Sequence, residues 1–308
     1  MEFFKPNTTI DFMAQRKWAA VVSIVLCIFS ITSLIINGLN WGLDFTGGTQ
    51  IQLSFPHAAD LNQIRDSLQR AGFKEAEVKS YGTSKDVLVS LAPKKNASDN
   101  EKDTTLNQVT AALPDAKIQQ VDFIGPQVGQ ELATKGALAI VVALLGTMIY
   151  IALRFDFRFA VGSTVALIHD PILILGVFSF LHLEFNLIVL AAILTVIGYS
   201  LNDTIVIFDR VRENFRKLRK ATSLEVVNQA TNQTLSRTIM TSVLTLIVVL
   251  ALFFLGGSML HGFALALIIG IVVGTYSSIY VAGSLSLVLG VTRQNLLPPA
   301  KEVLDDRP

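Results

Sequence analysis

Residues 186–208 read NLIVLAAILTVIGYSLNDTIVIF, a run long enough to cross a hydrocarbon core of about 30 Å as a helix, with one carboxylate, Asp203, near its end. Five further runs have the same character, near 18–36, 136–153, 159–181, 238–256 and 262–289. Composition agrees, since 308 residues with 51% hydrophobic and only 16% charged side chains lie outside the balance of a soluble domain. The net charge of +1 speaks against a nucleic-acid partner. The single cysteine, Cys27, sits in an apolar run; it excludes an intramolecular disulfide and is expected to be a small lipid-facing hydrophobe.

The loop charges give an orientation. The first run follows Arg16 and Lys17, exceeds the apolar region of a signal peptide and has no Ala-x-Ala after it, so an uncleaved anchor is expected. With the N-terminus inside, the inner segments carry Lys5, Arg16, Lys17, Arg154, Arg158, the stretch from Arg210 to Lys220, Arg237, Arg293, Lys301 and Arg307. The short outer loops 182–185 and 257–261 carry no Lys or Arg. The expected plan is therefore a cytoplasmic N-terminus with the first span at 1–36, a periplasmic α+β domain at 37–135, a five-helix bundle at 136–292 with a basic cytoplasmic loop at 209–236, and a cytoplasmic tail at 293–308. Within the basic loop, Thr222 and Glu225 form a capping-box pattern that predicts a short helix lying on the membrane surface or on a neighbour.

Between the first two spans the pattern changes. Ile51, Leu53 and Phe55 alternate with Gln50, Gln52 and Ser54, the period of a half-buried strand, and Pro56 ends it. Asp60 with Gln63 predicts a capped helix burying Leu61, Ile64 and Leu68, with Gly72 at its stop. Strands near 76–80 and 86–91, an exposed linker at 93–103, a helix over 104–113 and a strand over 117–124 complete a β-α-β-β-α-β order. The fold class is thus a six-helix polytopic membrane protein with one extracytoplasmic ferredoxin-like α+β domain. That domain lacks Cys, which excludes an iron–sulfur role, and no metal site is expected elsewhere.

Chemistry at membrane depth rests on ionisable groups, because burying one costs about 2.5–3.5 kcal/mol on insertion scales. Asp203 lies roughly 7 Å inside the inner boundary and shares a polar stripe with Tyr199, Thr195 and Ser200. The fifth run opens with a matching stripe of Arg237, Thr241 and Thr245. Asp170 stands between His169 and Pro171, where the proline is expected to kink the helix. An Asp–Arg pair between facing helices exchanges a proton only at the Asp, so a change in their separation would switch protonation. The alternatives are a fixed interhelical salt bridge for Asp203 and Arg237, and a packing pair for His169 and Asp170.

Six ordered motifs carry a resemblance. They are Trp41-Gly-Leu-Asp44-Phe-Thr-Gly47-Gly48-Thr49, Gly125-Pro-Gln-Val-Gly129, His169-Asp170-Pro171, Gly198-Tyr199-Ser-Leu-Asn202-Asp203-Thr204 running on to Asn214, Arg237-Thr238, and Ser277 to Ala282. Together they resemble the SecF branch of the SecD/SecF family, within the resistance-nodulation-division superfamily, over residues 1 to about 293. The outer domain is too short for the SecD branch. The resemblance implies an auxiliary, non-enzymatic subunit in the bacterial inner membrane that pairs with SecD and assists the SecYEG channel. It further implies that the proton-motive force, with no cofactor, drives the translocating preprotein, and that membrane lipids surround the spans. It assigns proton conduction to Asp203 and Arg237. Position in the spans keeps Asp170, Tyr199 and Asn202 as further relay candidates, and Asp44, Gly47 and Gly48 mark the way into the domain. Two rivals stand beside it: half of a proton-driven pump for small molecules or lipids, and an intramembrane aspartyl protease using Asp170 and Asp203. The second lacks Gly-x-Gly-Asp.

Overall fold

The computed structural model describes residues 9–74, 76–92 and 100–292. The expected tail at 293–308 and most of the linker, 93–99, lie outside them.

Six helices are long and apolar enough to cross a membrane, in the order the sequence predicts. They are α1 (Arg16–Ile36), α5 (Pro126–Arg154), α6 (Phe157–Phe180), α7 (Leu187–Lys217), α8 (Ser223–Leu255) and α9 (Gly257–Ser277). The last continues through a π-helical segment, Ser278–Ala282, into α10 (Gly283–Val288). This is a multi-pass membrane protein. Its inner helices are α6, α7 and α9; α1, α5 and α8 turn broad apolar faces outward, as lipid requires.

Two short elements, strand β1 (Asn40–Trp41) and helix α2 (Leu43–Thr46), lead from α1 into a sheet domain. Its elements run β2 (Gly48–Ser54), α3 (Leu61–Arg70), β3 (Glu77–Tyr81), β4 (Thr83–Leu91), α4 (Asn100–Ala112) and β5 (Lys117–Ile124). The antiparallel order β3-β4-β2-β5 is the split βαβ topology expected. Ile51 and Leu53 of β2 pack under Ile64 and Leu68 of α3, and Asp60 caps α3 by accepting from the amides of Asn62 and Gln63. A two-residue strand β6 (Glu184–Phe185), between α6 and α7, pairs in parallel with β1 and fastens the domain's approach to the bundle.

Several boundaries differ from the expectation. The domain ends at Ile124, because Gly125 and Pro126 start α5 ten residues before the expected span at 136; Pro suits the first turn of a helix. Residues 100–103, read as linker, open α4. The segment 209–236 is no loop. α7 continues to Lys217 and α8 begins at Ser223, so the two form a helical hairpin whose length exceeds a bilayer core. The Thr222–Glu225 capping box is present, but it opens α8 itself. Of the two expected placements the helix takes the second and lies on a neighbour, α7: Val227 and Thr231 are buried, and Val227 packs in one cluster with Phe208, Val211 and Phe215. α6 runs unbroken through Pro171.

Candidate functional site

Two apolar clusters fill the bundle. One, around Phe178, Ile193 and Leu267, lies at the domain end; the other, around Phe159, Phe208 and Val227, lies at the far end. Between them runs a layer of buried polar groups that includes His169, Asp170, Ser200, Asp203, Thr238, Ser242 and Ser277. Polar groups are kept at membrane depth only where they face protein or water.

Asp203 is 4% exposed, and its Oδ2 has no hydrogen-bond partner among the described residues. Arg237 is the charge that acts on it. Asp203 and Arg237 each stand fourteen residues from the turn between the antiparallel helices α7 and α8, roughly 21 Å at helical rise, so they share a level. The fixed salt bridge is not formed: neither hydrogen bond nor ion pair joins them among the described residues. Thr238, beside Arg237, also buries a hydroxyl without a partner among the described residues.

The expected stripe on α7 divides. Ser200 and Asp203 point into the bundle, whereas Thr195 and Asn202 are exposed. Tyr199 donates to Ser242 Oγ at 3.4 Å, and Ser242 bonds Thr275 at 2.8 Å, which links α7, α8 and α9 away from Asp203. Arg237 is itself exposed. Arg237 and Asn202 thus lie on the outside of the bundle, on α8 and α7. Cys27 is only partly exposed, so it is not a purely lipid-facing residue.

Asp170 is fully buried and richly bonded. Its Oδ1 lies 3.0 Å from His169 Nδ1, and its Oδ2 accepts from Ser200 Oγ at 2.7 Å and Ser277 Oγ at 2.9 Å. Ser277, the last residue before the π-helical segment, carried no signal as a donor in the sequence.

The way into the domain is a rigid joint. Asp44 Oδ2 accepts from the backbone amide of Leu187 at 2.8 Å, so α2 helps cap the N-terminus of α7 across 143 residues of chain. Gly42 donates to the carbonyl of Phe185 at 2.8 Å, and Phe45 stacks on Phe185 at 5.5 Å. Gly47 and Gly48 have φ of +69° and +130°. A Cβ on Gly48 would lie 2.4 Å from the carbonyl oxygen of Leu91, and one on Gly47 would lie 2.9 Å from Pro126 Cα. Both positions therefore demand glycine by conformation and by space.

Two more residues escaped the sequence reading. Asn232 donates to the carbonyl of Ile10 and accepts from its amide, both at 2.8 Å, while Asn228 accepts from the amide of Met13 at 3.2 Å. The N-terminal arm is thereby held on α8, about 1.4 to 2.5 turns from Arg237.

The family description "Protein export membrane protein SecD/SecF, C-terminal" fits residues 104–292, and the SecD/SecF GG motif fits residues 32–55. Protein translocase subunit SecF of Vibrio alginolyticus is 48% identical over 306 residues, covering 98% of this chain and 96% of that protein. The chain belongs to the SecD/SecF family. SecF of Escherichia coli O157:H7 is 43% identical, covering 93% of this chain and 90% of that one. Among solved structures, SecDF from Thermus thermophilus, described as a translocon-associated membrane protein, superposes with a TM-score of 0.84 at 39% identity. The match takes in 93% of this chain and 39% of that longer chain. SecDF in its super-membrane-facing form superposes at 0.70. The SecD/SecF GG motif includes Asp44, Gly47 and Gly48, the joint described above, and the C-terminal SecD/SecF region includes His169, Asp170, Ser200, Asp203, Arg237 and Ser277.

Proposed function

We propose that the chain is an auxiliary subunit of the Sec protein translocase, which pairs with a SecD partner and uses the proton-motive force to help complete preprotein export through the SecYEG channel. It sits in the bacterial inner membrane with both termini cytoplasmic and the sheet domain in the periplasm, the orientation the loop charges favour. The exposed Arg237, Asn202 and Thr195 form the face for SecD.

One observation carries the reading: a buried Asp203, unpaired among the described residues and level with Arg237, on the same helix whose N-terminus Asp44 ties to the domain. As a carboxylate, Asp203 is drawn toward the guanidinium of Arg237; once protonated at a carboxyl oxygen it is released. Arg237 keeps its charge throughout. Each proton falling through 100 mV releases about 2.3 kcal/mol, enough to bias a two-state packing of α7 on α8. Motion of α7 reaches the domain through Leu187 and Asp44, and the joint at Gly47 and Gly48 passes it on without slack. The energy source is the gradient, and no bound cofactor takes part. Hydrolysis has less to stand on, since the Asp170 oxygens are already occupied by His169, Ser200 and Ser277.

The test is purification in mild detergent, followed by co-reconstitution with the recovered partner and the channel. Recovery of SecD and export that rises with an imposed proton gradient are expected; export indifferent to the gradient overturns the reading. For orientation, Ser84→Cys in a Cys27→Ala background is labelled from outside by an impermeant thiol reagent and Ala221→Cys is not. The reverse pattern overturns the placement of the domain.

A further inference from the structure

The polar layer contains a second ionisable centre that Asp203 and Arg237 do not use. Asp170 is 0% exposed and His169 5%, and among the described residues no Lys or Arg pairs with either. The carboxylate is fully provided for, with His169 on one oxygen and the hydroxyls of Ser200 and Ser277 on the other. The imidazole is not: His169 Nε2 is buried without a hydrogen-bond partner among the described residues. When Nδ1–H donates to Asp170, Nε2 is a buried lone pair that no described residue meets. A buried polar atom left unmet costs stability, and a pair kept only for packing would have it satisfied.

The surroundings connect this centre to the one at Asp203. Ser200 stands on α7 one helical turn before Asp203, toward the domain end, so Asp170 lies on the domain side of Asp203. Ser277 leads directly into the π-helical segment Ser278–Ala282, and π-bulges inside helices recur at functional sites. α9 comes this close because residue 274 is glycine: a Cβ there would lie 3.0 Å from Ser200 Cβ and 3.5 Å from Asp170 Oδ2. The remaining titratable neighbours are Tyr276 of α9, its ring 6.4 Å from that of His169, and Cys27 of α1, within electrostatic reach of Asp170. Tyr276 donates to the carbonyl of Ala19 at 2.6 Å and lies 3.0 Å from Ser23, so the layer continues to α1.

We propose that His169 and Asp170 form a second proton-holding site, upstream of Asp203, whose charge state sets the packing of α6 against α7 and α9. One proton enters from the domain side and takes the pair from a net charge of −1 to zero, resting on His169 Nε2 or on the carboxyl. The same proton leaves toward Asp203, and the pair regains its charge and its grip on Ser200 and Ser277. The proposal rests on the proton-driven reading above and adds to it the order of the sites.

The test uses the full chain with its SecD partner in proteoliposomes, with infrared difference spectroscopy of carboxyl protonation beside gradient-driven export. Asp170→Asn is expected to remove a carboxyl signal that persists in Asp203→Asn. It is also expected to lower gradient-driven export roughly 50-fold, the bias one proton supplies at 100 mV. His169→Asn keeps a donor at the Nδ1 position and removes the Nε2 base; loss of gradient-driven export by a normally assembled protein supports the proposal. It decides the matter should Asp170→Asn fail to assemble. Well-assembled Asp170→Asn with its carboxyl signals and export intact, or His169→Asn with unchanged export, overturns the proposal, while loss in Asp203→Asn alone leaves the underlying reading standing. Full gradient-driven export by Asp203→Asn overturns both.

Discussion

α7 is treated in opposite ways at its two functional levels. At its N-terminus the backbone amide of Leu187 is held by Asp44, Val189 by the Asn186 side chain, and the approach is clamped by β1 and β6 and by stacked Phe45 and Phe185. Sixteen residues along, Asp203 is buried with an oxygen that bonds to nothing among the described residues. The contrast is what a transducer needs. An oxygen that bonds to nothing can take up or give up a proton without a hydrogen bond being broken. A lever, by contrast, transmits only if its far end has one geometry.

The sharpest way to break this comparison is at Asp203. Asp203→Asn keeps the shape and removes titration, so it is expected to assemble with its partner and lose gradient-driven export, while ATP-driven channel activity is unchanged. A structural charge pair would behave differently, with reduced levels for either single variant and repair in an Asp203→Asn, Arg237→Gln double variant. Quantifying assembled complex beside export separates the two.

At the joint, the next largest effect is expected from Gly48→Val. The side chain would have to accept φ of +130° and displace the carbonyl of Leu91 from 2.4 Å. Backbone strain of this kind costs about 1–3 kcal/mol before any overlap is counted. Membrane insertion, directed by apolar spans, is expected to be normal while export fails. Normal export would reduce the glycine pair to an ordinary turn.

Much of this architecture was legible in the sequence because its causes are local. Six apolar runs announce six spans, the alternation at Gln50–Phe55 announces β2, and Asp60 and Thr222 announce caps whose partners lie three residues on. Helix ends beyond the bilayer were missed because hydropathy falls once a helix leaves lipid while its backbone bonds continue; α7 from Asp209 and α8 up to Ser236 are such segments. Within the site, membrane depth singled out Asp203, Arg237 and Asp170. What it could not give was who meets whom. Asp44 caps a helix 143 residues away, Ser277 reaches Asp170 across 107, and Asn232 holds Ile10 across 222. Such contacts are set by how helices stack, which no window of sequence contains.

Asp44 offers a finer test of the same joint. Asp44→Ala removes the side chain that meets the Leu187 amide, a loss of about 0.5–2 kcal/mol by the usual cost of an N-cap. Asn186 remains to cap Val189, so the helix survives. Thermal unfolding in detergent should fall modestly and export with it, while Asp44→Asn, which keeps an acceptor, should lie between. Equal export in all three would mean that α7 does not pull through this bond.

The smallest effect is expected at Glu184, in β6, where domain and bundle meet. Burial first of all pushes its carboxyl above the ordinary range; Lys79 opposes the shift, and Glu77 and Asp44 add to it. The crowding is real, since a Cβ on Gly42 would lie 2.9 Å from Glu184 Oε1. A raised carboxyl means that the folded protein holds this proton where the unfolded chain has already lost it. Stability from this group is therefore full below the unfolded carboxylate range and falls as pH rises through the raised folded value. Glu184→Gln mimics the protonated acid at every pH. The variant should match the parent in thermal unfolding at acidic pH and exceed it near neutrality, by a small margin because the side chain is partly solvated. An advantage that instead grew toward low pH would show that the Glu184 carboxylate is stabilised in the joint, making it one of the clamps at this end of α7 and not a strained bystander.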